Sequence, residues 1–169
     1  VADLDKVCEH FNLPFQAGDD AVLESMRRGY TNEQYRRLVD KIRGRVPNAS
    51  LSTDVIVGFS GETDERFQRT FDLLRDIEFD KVHAASYSTR EGTIADRKME
   101  DDVPQEEKKA RLKQIEELQA QVQSGINNRL LGETVEVLVE GVKGGRVFGR
   151  SRNDKLVHID GPEDLIGEL

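Results

Sequence analysis

The sequence predicts an α/β protein in two parts, a parallel sheet with helices followed by a small antiparallel β unit. Over roughly the first hundred residues, strand-like and helix-like segments alternate, which is the pattern of parallel strands joined by crossover helices. From Glu133 the pattern changes to alternating apolar and polar residues interrupted by glycines, which is typical of short antiparallel strands. A chain of 169 residues is long enough for one domain and at most two.

Three short apolar segments are predicted to be strands of the parallel sheet. They are Phe11 to Phe15, Leu51 to Gly58 and Lys81 to Ser88. The β-branched run Val55-Ile56-Val57 is continuously apolar, which favours a sheet covered on both faces. Because the strands are separated by helical segments, we expect right-handed crossovers and parallel pairing.

Four helices are predicted around these strands. They begin near Asp20, Thr31, Thr63 and Pro104. The second has Thr31 and Gln34 at the spacing of a capping box. The fourth extends to about Asn127 and is interpreted as a strut between the two parts, with Glu107 and Arg111 spaced for an ion pair worth only tenths of a kcal/mol. The polar stretch from Ile94 to Val103 is predicted to be a surface connection.

Composition and charge exclude several classes of protein. The net charge is −8, so a global electrostatic attraction to nucleic acid is not expected, although a local basic patch remains compatible with it. No run approaches the ~18 apolar residues of a membrane span, and no leader follows Val1, so we expect no membrane partner and a cytoplasmic location. The single cysteine, Cys8, excludes an internal disulfide and a thiolate-based metal site, and we expect it to be buried.

Polar or glycine-rich residues follow each predicted strand of the parallel sheet. They are Gln16 after the first, Gly58 after the second and Arg90 after the third. Because the carboxyl ends of parallel strands meet at one edge, these residues predict one shared ligand site. Asp54 is a further candidate, since a carboxylate inside an apolar strand needs a partner. The alternative is that these residues only shape turns and cap helices. The three histidines are isolated, His83 is expected to face a helix or solvent, and no catalytic residue is identified.

A basic segment lies near the end of this acidic chain. From Gly141 to Lys155 there are five basic residues and one acidic residue. Its candidate RNA contacts are Lys143, Arg146, Phe148, Arg150 and Arg152, which would bind phosphates and stack one base. A solvent-exposed hairpin with no RNA partner is the alternative.

Five segments, in this order, resemble the radical S-adenosylmethionine methylthiotransferases. They are Cys8-Glu9-His10 running into LPFQAGDD, then MRRGYT, DVIVGFSGET, FDKVHAASYSTREGT and DDVPQEEKKARL. The resemblance is strongest to the MiaB-type branch, which acts on tRNA adenosine, and GETVEVLVEGV with GRVFGRS is similar to a TRAM domain, a small RNA-binding β-barrel. The resemblance implies a partial (β/α) TIM-like radical SAM barrel over residues 1–128 and a TRAM-like β-barrel, incomplete at its end, over residues 129–169.

The resemblance also implies an activity for the parent enzyme. That activity is transfer of a methylthio group to C2 of an N6-isopentenyladenosine-type nucleotide next to the anticodon, with tRNA as partner and S-adenosylmethionine and [4Fe–4S] clusters as cofactors. Gln16, Asp54, Gly58 and Arg90 would then line the S-adenosylmethionine pocket. The family's CxxxCxxC loop has no counterpart in this sequence. We therefore expect the N-terminal part of the enzyme to be missing and the chain alone to be inactive.

Two other functions stay open at the level of sequence. A ribosomal-protein aspartate methylthiotransferase has the same fold and shares the GFxGET-like motif, but Cys8-Glu9-His10 and Arg90 to Thr93 are closer to the tRNA branch. A non-catalytic RNA-binding module is the alternative from another class, and in it the arginines of the basic segment would be the functional residues.

Overall fold

The computed structural model describes all 169 residues and contains two separate sheets. The strands are β1 (His10–Asn12), β2 (Ser50–Val57), β3 (Lys81–Ser86), β4 (Val137–Lys143), β5 (Arg146–Ser151) and β6 (Leu156–Ile159). The helices are α1 (Asp20–Ser25), α2 (Asn32–Arg45), α3 (Asp64–Ile77), α4 (Ile94–Lys98) and α5 (Gln105–Asn128), with a short 3₁₀ helix at Glu163–Leu165. Strands β1, β2 and β3 pair in parallel, whereas β4, β5 and β6 pair antiparallel. The predicted α/β class and the change of sheet type are confirmed.

The helix starts follow from short polar motifs. At α2, Gln34 N–H donates to the Thr31 hydroxyl, and the Gln34 amide oxygen accepts from Thr31 N–H at 2.9 Å, so the predicted capping box is present. Asp19 caps α1 by accepting from two backbone N–H groups of its first turn, each at 3.1 Å. Thr63 caps α3 with its hydroxyl. These caps satisfy donors that the first turn of each helix leaves unpaired.

Helices cover only one face of the parallel sheet. On β2 that face carries Leu51, Val55 and Val57, which join a core with α2, α3 and α5. The opposite face of β2 carries Asp54 and Ile56, which pair in register with exposed residues of β3. The expectation of a sheet covered on both faces is therefore wrong within this chain. The apolar run of β2 arises instead because two of its residues face the core and the third lies beside a cavity.

Several local expectations need correction. The first strand is shorter than predicted and ends at Asn12, after which Gln16 forms an isolated parallel bridge to Val55. The connection predicted from Ile94 contains α4, whose start is capped by the Thr93 hydroxyl. Cys8 is exposed, not buried, because the segment before β1 lies on the surface.

The antiparallel unit is a three-stranded sheet with one buried face. Val137, Val139 and Val147 form its small core. The end of the chain adds to β4, since Val139 N–H donates to the Glu168 carbonyl at 3.0 Å and Gly167 N–H donates back to the Val139 carbonyl at 2.9 Å. None of the helices combines the length and apolar character that a membrane crossing requires.

Candidate functional site

The loops that follow the three parallel strands lie side by side at one edge of the sheet. Gln16 N–H donates to the Asp54 carbonyl at 2.9 Å, and Ile56 N–H donates to the Gln16 carbonyl at 2.9 Å. On the other side of β2, Tyr87 N–H donates to the Val57 carbonyl at 2.8 Å. These bonds bring the carboxyl ends of the strands together, which is where parallel-sheet proteins place their ligand sites.

A cavity of about 340 Å³ opens at this edge. It lies between the end of α1, the ends of β2 and β3, and α4, and we call it the edge cavity. Its apolar wall includes Met26, Ile56, Phe59, Tyr87, Ala95 and Met99. Arg27, Arg28 and Arg90 also line it. Its volume falls within the range of small-molecule sites, about 300 to 1,000 Å³.

The four residues predicted to bind S-adenosylmethionine are placed differently with respect to the edge cavity. Arg90 lines it. Asp54 lies on the open face of β2, where it pairs in register with the exposed His83 of β3. It is two residues before Ile56, which lines the cavity. Gln16 is buried, with a left-handed backbone at φ 70° that lets it pair with β2. The structure thus brings these residues to one edge, and their part in binding stays a prediction.

Gly58, the fourth of these residues, has a structural reason to be glycine. Its φ of 71° lies in the left-handed region, and a Cβ atom there would overlap Lys108 Cγ. Its N–H donates to Glu62 Oε1 at 2.7 Å, which closes the turn after β2. The turn and the close approach of α5 therefore explain this glycine without any ligand.

Two basic side chains of α5 are buried beneath the loops of the edge cavity. Lys108, only 1% exposed, donates from Nζ to the Tyr87 carbonyl at 3.1 Å and pairs with Asp101. Its ammonium also lies 5.2 Å from the centre of the Tyr87 ring. Because a buried charge is costly unless it is paired, these contacts fix the loop after β3 to the helix.

Arg111 forms the second buried contact between α5 and the loops. Its Nη1 donates to Glu62 Oε1 at 2.8 Å and to the Glu62 carbonyl at 3.0 Å, while Nη2 bonds Asp64 at 2.8 Å and also Glu107. Burial raises the pKa of Glu62, and the Gly58 N–H and Arg111 act in the opposite direction. The loop after β2 is thereby held by a buried ion pair.

This network was missed by sequence reasoning, which gave Arg111 only a weak pair with Glu107. A signal was present in the sequence. Lys108 and Arg111 precede Ile115 at helical spacing, on the same face of α5 as this fully buried residue. Basic residues on the buried face of a helix indicate buried acidic partners.

Four of the five candidate RNA contacts lie on one exposed face of the antiparallel sheet. Lys143 pairs in register with Arg146, and Phe148 pairs with His158. The Phe148 and His158 rings are 6.2 Å apart. Arg150 lies on the same face, since it alternates with Phe148 along β5. His158 is therefore a further aromatic residue on this face, one that the sequence did not single out.

Acidic neighbours already pair two of these basic side chains. Arg146 Nε donates to Asp160 Oδ1 at 2.7 Å, and Arg150 Nη1 donates to Asp154 Oδ1 at 2.9 Å. Both pairs are exposed to solvent, where such contacts are weak and exchangeable. Lys143 has no such partner among the ion pairs of the chain.

Arg152, the fifth candidate, points away from that face. Its Nε and Nη2 donate to the two carboxylate oxygens of Glu9, both at 2.9 Å, and Nη2 also donates to the Val7 carbonyl at 3.0 Å. The guanidinium therefore joins the antiparallel unit to the segment before β1. The hydrogen bonds from Arg152 lower the pKa of Glu9.

Three more polar contacts surround this ion pair. Ser50 donates from its hydroxyl to the Asn153 carbonyl at 2.9 Å, and the Asn153 amide donates to the Asn48 carbonyl at 2.7 Å. Lys155 Nζ pairs with Asp80 at 2.8 Å. All of these partners lie at the amino ends of the parallel strands, so the antiparallel unit docks on the edge of the sheet opposite the edge cavity.

Comparison with known proteins relates part of the chain to a family. A family model described as the Radical SAM superfamily matches residues 1–74. Over its full length the chain is 48% identical to a protein of Dehalococcoides mccartyi strain CBDB1, 51% to one of Roseiflexus sp. strain RS-1 and 48% to one of Acetivibrio thermocellus. The amino-terminal 74 residues of the chain are therefore similar to the radical SAM superfamily. Each of these three relatives is named tRNA-2-methylthio-N(6)-dimethylallyladenosine synthase, and the chain spans 36–40% of their length.

Two cofactors are implied by the similarity to the radical SAM superfamily, and they fit the residues of this chain differently. A [4Fe–4S] cluster does not fit its residues, because Cys8 is the single cysteine and no group of three His, Cys, Asp or Glu side chains is placed to hold a metal. S-adenosylmethionine fits better. The carboxyl edge offers the main chain at the end of β2 for an adenine and, on the open face beside it, the Asp54 carboxylate for a cationic group.

Proposed function

We propose that this chain forms part of a transferase that uses S-adenosylmethionine to add a methylthio group to C2 of a modified adenosine in tRNA. The observation that carries the proposal is an identity of 48–51%, over the whole of this chain, to proteins named tRNA-2-methylthio-N(6)-dimethylallyladenosine synthase. Those names favour the tRNA branch over a ribosomal-protein aspartate methylthiotransferase. Identity that includes the whole α/β part also disfavours a bare RNA-binding module.

The parallel sheet is proposed to be a segment of a (β/α) barrel, over residues 1–128. In such barrels the helices cover the outer face of the strands, and the loops at the carboxyl ends form the site. The chain has the matching asymmetry, since its helices pack on one face and Asp54 and Ile56 lie on the other. The open face would then point into the barrel, and residues 129–169 would form part of a TRAM-like β-barrel.

S-adenosylmethionine is proposed to bind along the carboxyl edge, at Gln16, Asp54, Gly58 and Arg90. When bound to the complete, cluster-loaded protein it would supply the radical and methyl-transfer chemistry. The residues of this chain bind, orient and exclude water. Asp54 is suited to the positive charge of the sulfonium or amino group, and the backbone around Gly58 lies at the end of β2, where an adenine can approach the main chain.

The face with Lys143, Arg146, Phe148 and Arg150 is proposed to contact the tRNA outside the barrel. It combines basic groups with an aromatic ring, the pairing by which single-stranded RNA is held through phosphates and stacked bases. Arg152 is left out of this face because Glu9 already binds its guanidinium.

A substrate competition tests the proposed function. The complete, cluster-loaded protein that contains this chain is given S-adenosylmethionine, a reductant, a tRNA carrying N6-dimethylallyladenosine and a ribosomal protein with an accessible aspartate. We expect mass spectrometry to find the methylthio group on the adenosine alone. Methylthiolation of the aspartate would favour the other branch, and binding of tRNA with no modification of either substrate would favour the RNA-binding module.

A further inference from the structure

We propose that Arg27, Arg28 and Arg90 form a phosphate site in the edge cavity that holds the RNA backbone next to the nucleotide being modified. The inference rests on the proposed function and deepens it, since it names the group of the tRNA that enters this cavity. It also reassigns Arg90 from the cofactor to the RNA.

The three arginines are free to bind an anion. Ten of the sixteen arginines of the chain form ion pairs with carboxylates. None of the three in the edge cavity does, although they come from two separate segments, the turn after α1 and the loop after β3. Arginines that line one cavity without acidic partners are suited to phosphate, which a guanidinium binds through two parallel hydrogen bonds.

The backbone that carries Arg27 and Arg28 is anchored to the core. Arg27 N–H donates to the Glu24 carbonyl at 2.9 Å, and Arg28 N–H donates to the carbonyl of the buried Leu23 at 2.8 Å. Arg27 also adopts a left-handed backbone, at φ 58°, where glycine is the usual residue. An arginine at this position is consistent with a need for its side chain.

The apolar wall of the edge cavity completes a nucleotide site. Phe59 and Tyr87 meet edge to face at 4.8 Å between ring centres, which gives a rigid aromatic corner. Met26 and Met99 lie on the same wall and adapt to irregular shapes. Aromatic and thioether surface beside guanidinium groups matches a nucleobase with its phosphate.

The net charge of the ligand decides between RNA and S-adenosylmethionine as the occupant of the edge cavity. S-adenosylmethionine carries a sulfonium, an ammonium and one carboxylate, so it is a net cation. Three unpaired guanidinium groups repel such a ligand and attract a polyanion. Two carboxylates, Asp101 and Asp96, act on the cavity residue Tyr87. Asp101 is paired with Lys108, and Asp96 accepts from Gly92 N–H at 3.1 Å, so three guanidinium groups face one carboxylate that has no basic partner. The cofactor is therefore better placed beside Asp54 on the open face, and the RNA in the edge cavity.

The test measures tRNA and S-adenosylmethionine binding separately in the complete, cluster-loaded protein. In R27Q/R28Q we expect binding of a tRNA carrying N6-dimethylallyladenosine to weaken about tenfold at moderate salt, with the slope of log Kd against log salt reduced by about two. The affinity for S-adenosylmethionine should not change. R90Q, in a different loop, should reduce the slope by about one.

R36Q/R37Q is the matched control, because it removes the same charge from α2, outside the cavity, and should leave the slope unchanged. Unchanged tRNA binding in R27Q/R28Q and R90Q, with weakened S-adenosylmethionine binding, would assign the arginines to the cofactor carboxylate and overturn the inference. Unchanged binding of both ligands would overturn it as well. If the wild-type protein neither binds nor modifies tRNA, the proposed function itself fails, and that result is distinct from either of these.

Discussion

Arg152 and Glu9, 143 positions apart in the chain, form a bidentate ion pair with both N–O distances at 2.9 Å. This pair joins the antiparallel unit to the amino edge of the parallel sheet. Asn153 and Lys155 add hydrogen bonds and an ion pair on either side of it. The turn from Arg152 to Lys155 therefore acts as a clasp between the two units, on the edge opposite the proposed ligand site.

The clasp predicts a change in protease sensitivity. Arg152→Ala removes both hydrogen bonds to Glu9, so the antiparallel unit should dock less firmly and the connection at residues 129–136 should be cut faster. The measurement is the rate of limited trypsin or Glu-C cleavage under native conditions. Arg146→Ala is the control, since its partner Asp160 lies within the same antiparallel unit. Equal cleavage rates for the two variants would contradict a clasp at Arg152.

The same pair predicts a pH dependence. Hydrogen bonds from Arg152 lower the pKa of Glu9 below its ordinary value of 4.5 in the docked state. The ionised carboxylate therefore favours docking, a contribution that is present above pH 4.5 and is lost as pH falls through the lowered value. Titration of the Glu9 carboxyl by NMR should give a pKa under 4.5, and Arg152→Ala should return it to the ordinary range. A Glu9 pKa unaffected by that substitution would show that the pair is not formed in solution.

Removing the buried guanidinium of α5 should strongly destabilise the fold. Arg111→Met leaves Glu62 buried without its cationic partner, and loss of one partner of a buried pair costs about 3 to 5 kcal/mol. Urea unfolding measures the loss. The double variant Arg111→Met, Glu62→Gln should recover part of it, because no buried charge is then left unpaired. Lys113→Met on the exposed side of α5 is the control. If Arg111→Met lowers the free energy of unfolding no more than this control, the buried pair of Arg111 and Glu62 does not stabilise the fold.

The exposed face of the antiparallel sheet should contribute to tRNA affinity. Phe148→Ala should weaken binding by about 1 to 3 kcal/mol if one base stacks on its ring. Lys143→Gln should reduce the salt slope by about one, the effect of losing a single phosphate contact. Val135→Ala, at an exposed residue outside the strands, is the control. If both variants bind tRNA as tightly as the control does, this face does not contact the tRNA.

The parts of the fold that depend on neighbouring residues could be predicted from the sequence. The capping box of Thr31 and Gln34 was found because both of its hydrogen bonds join residues three apart. The meeting of the strand ends near Gln16 and Gly58 follows from parallel pairing alone. Both features need no knowledge of which helix packs where, and both are present in the structure.

The features that the sequence did not reveal depend on contacts between distant residues. Arg111 bonds Glu62, which lies 49 positions earlier, and this pairing turns an expected weak contact into a buried one. Arg152 was grouped with the other basic residues because they are close in sequence, yet its partner Glu9 lies near the start of the chain. Cys8 was expected to be buried beside a strand, which requires a covering element that the structure does not place there. In each case the deciding partner is remote along the chain.

S-adenosylmethionine binding by an Asp54→Asn variant tests the central claim most directly, that the open face and carboxyl edge of this sheet form the cofactor site. The complete, cluster-loaded protein is measured by equilibrium dialysis, with Asp40→Asn on the exposed side of α2 as the control. The account predicts binding about tenfold weaker for Asp54→Asn, because an isosteric amide removes the attraction to a cationic ligand. An affinity equal to that of the control would contradict it.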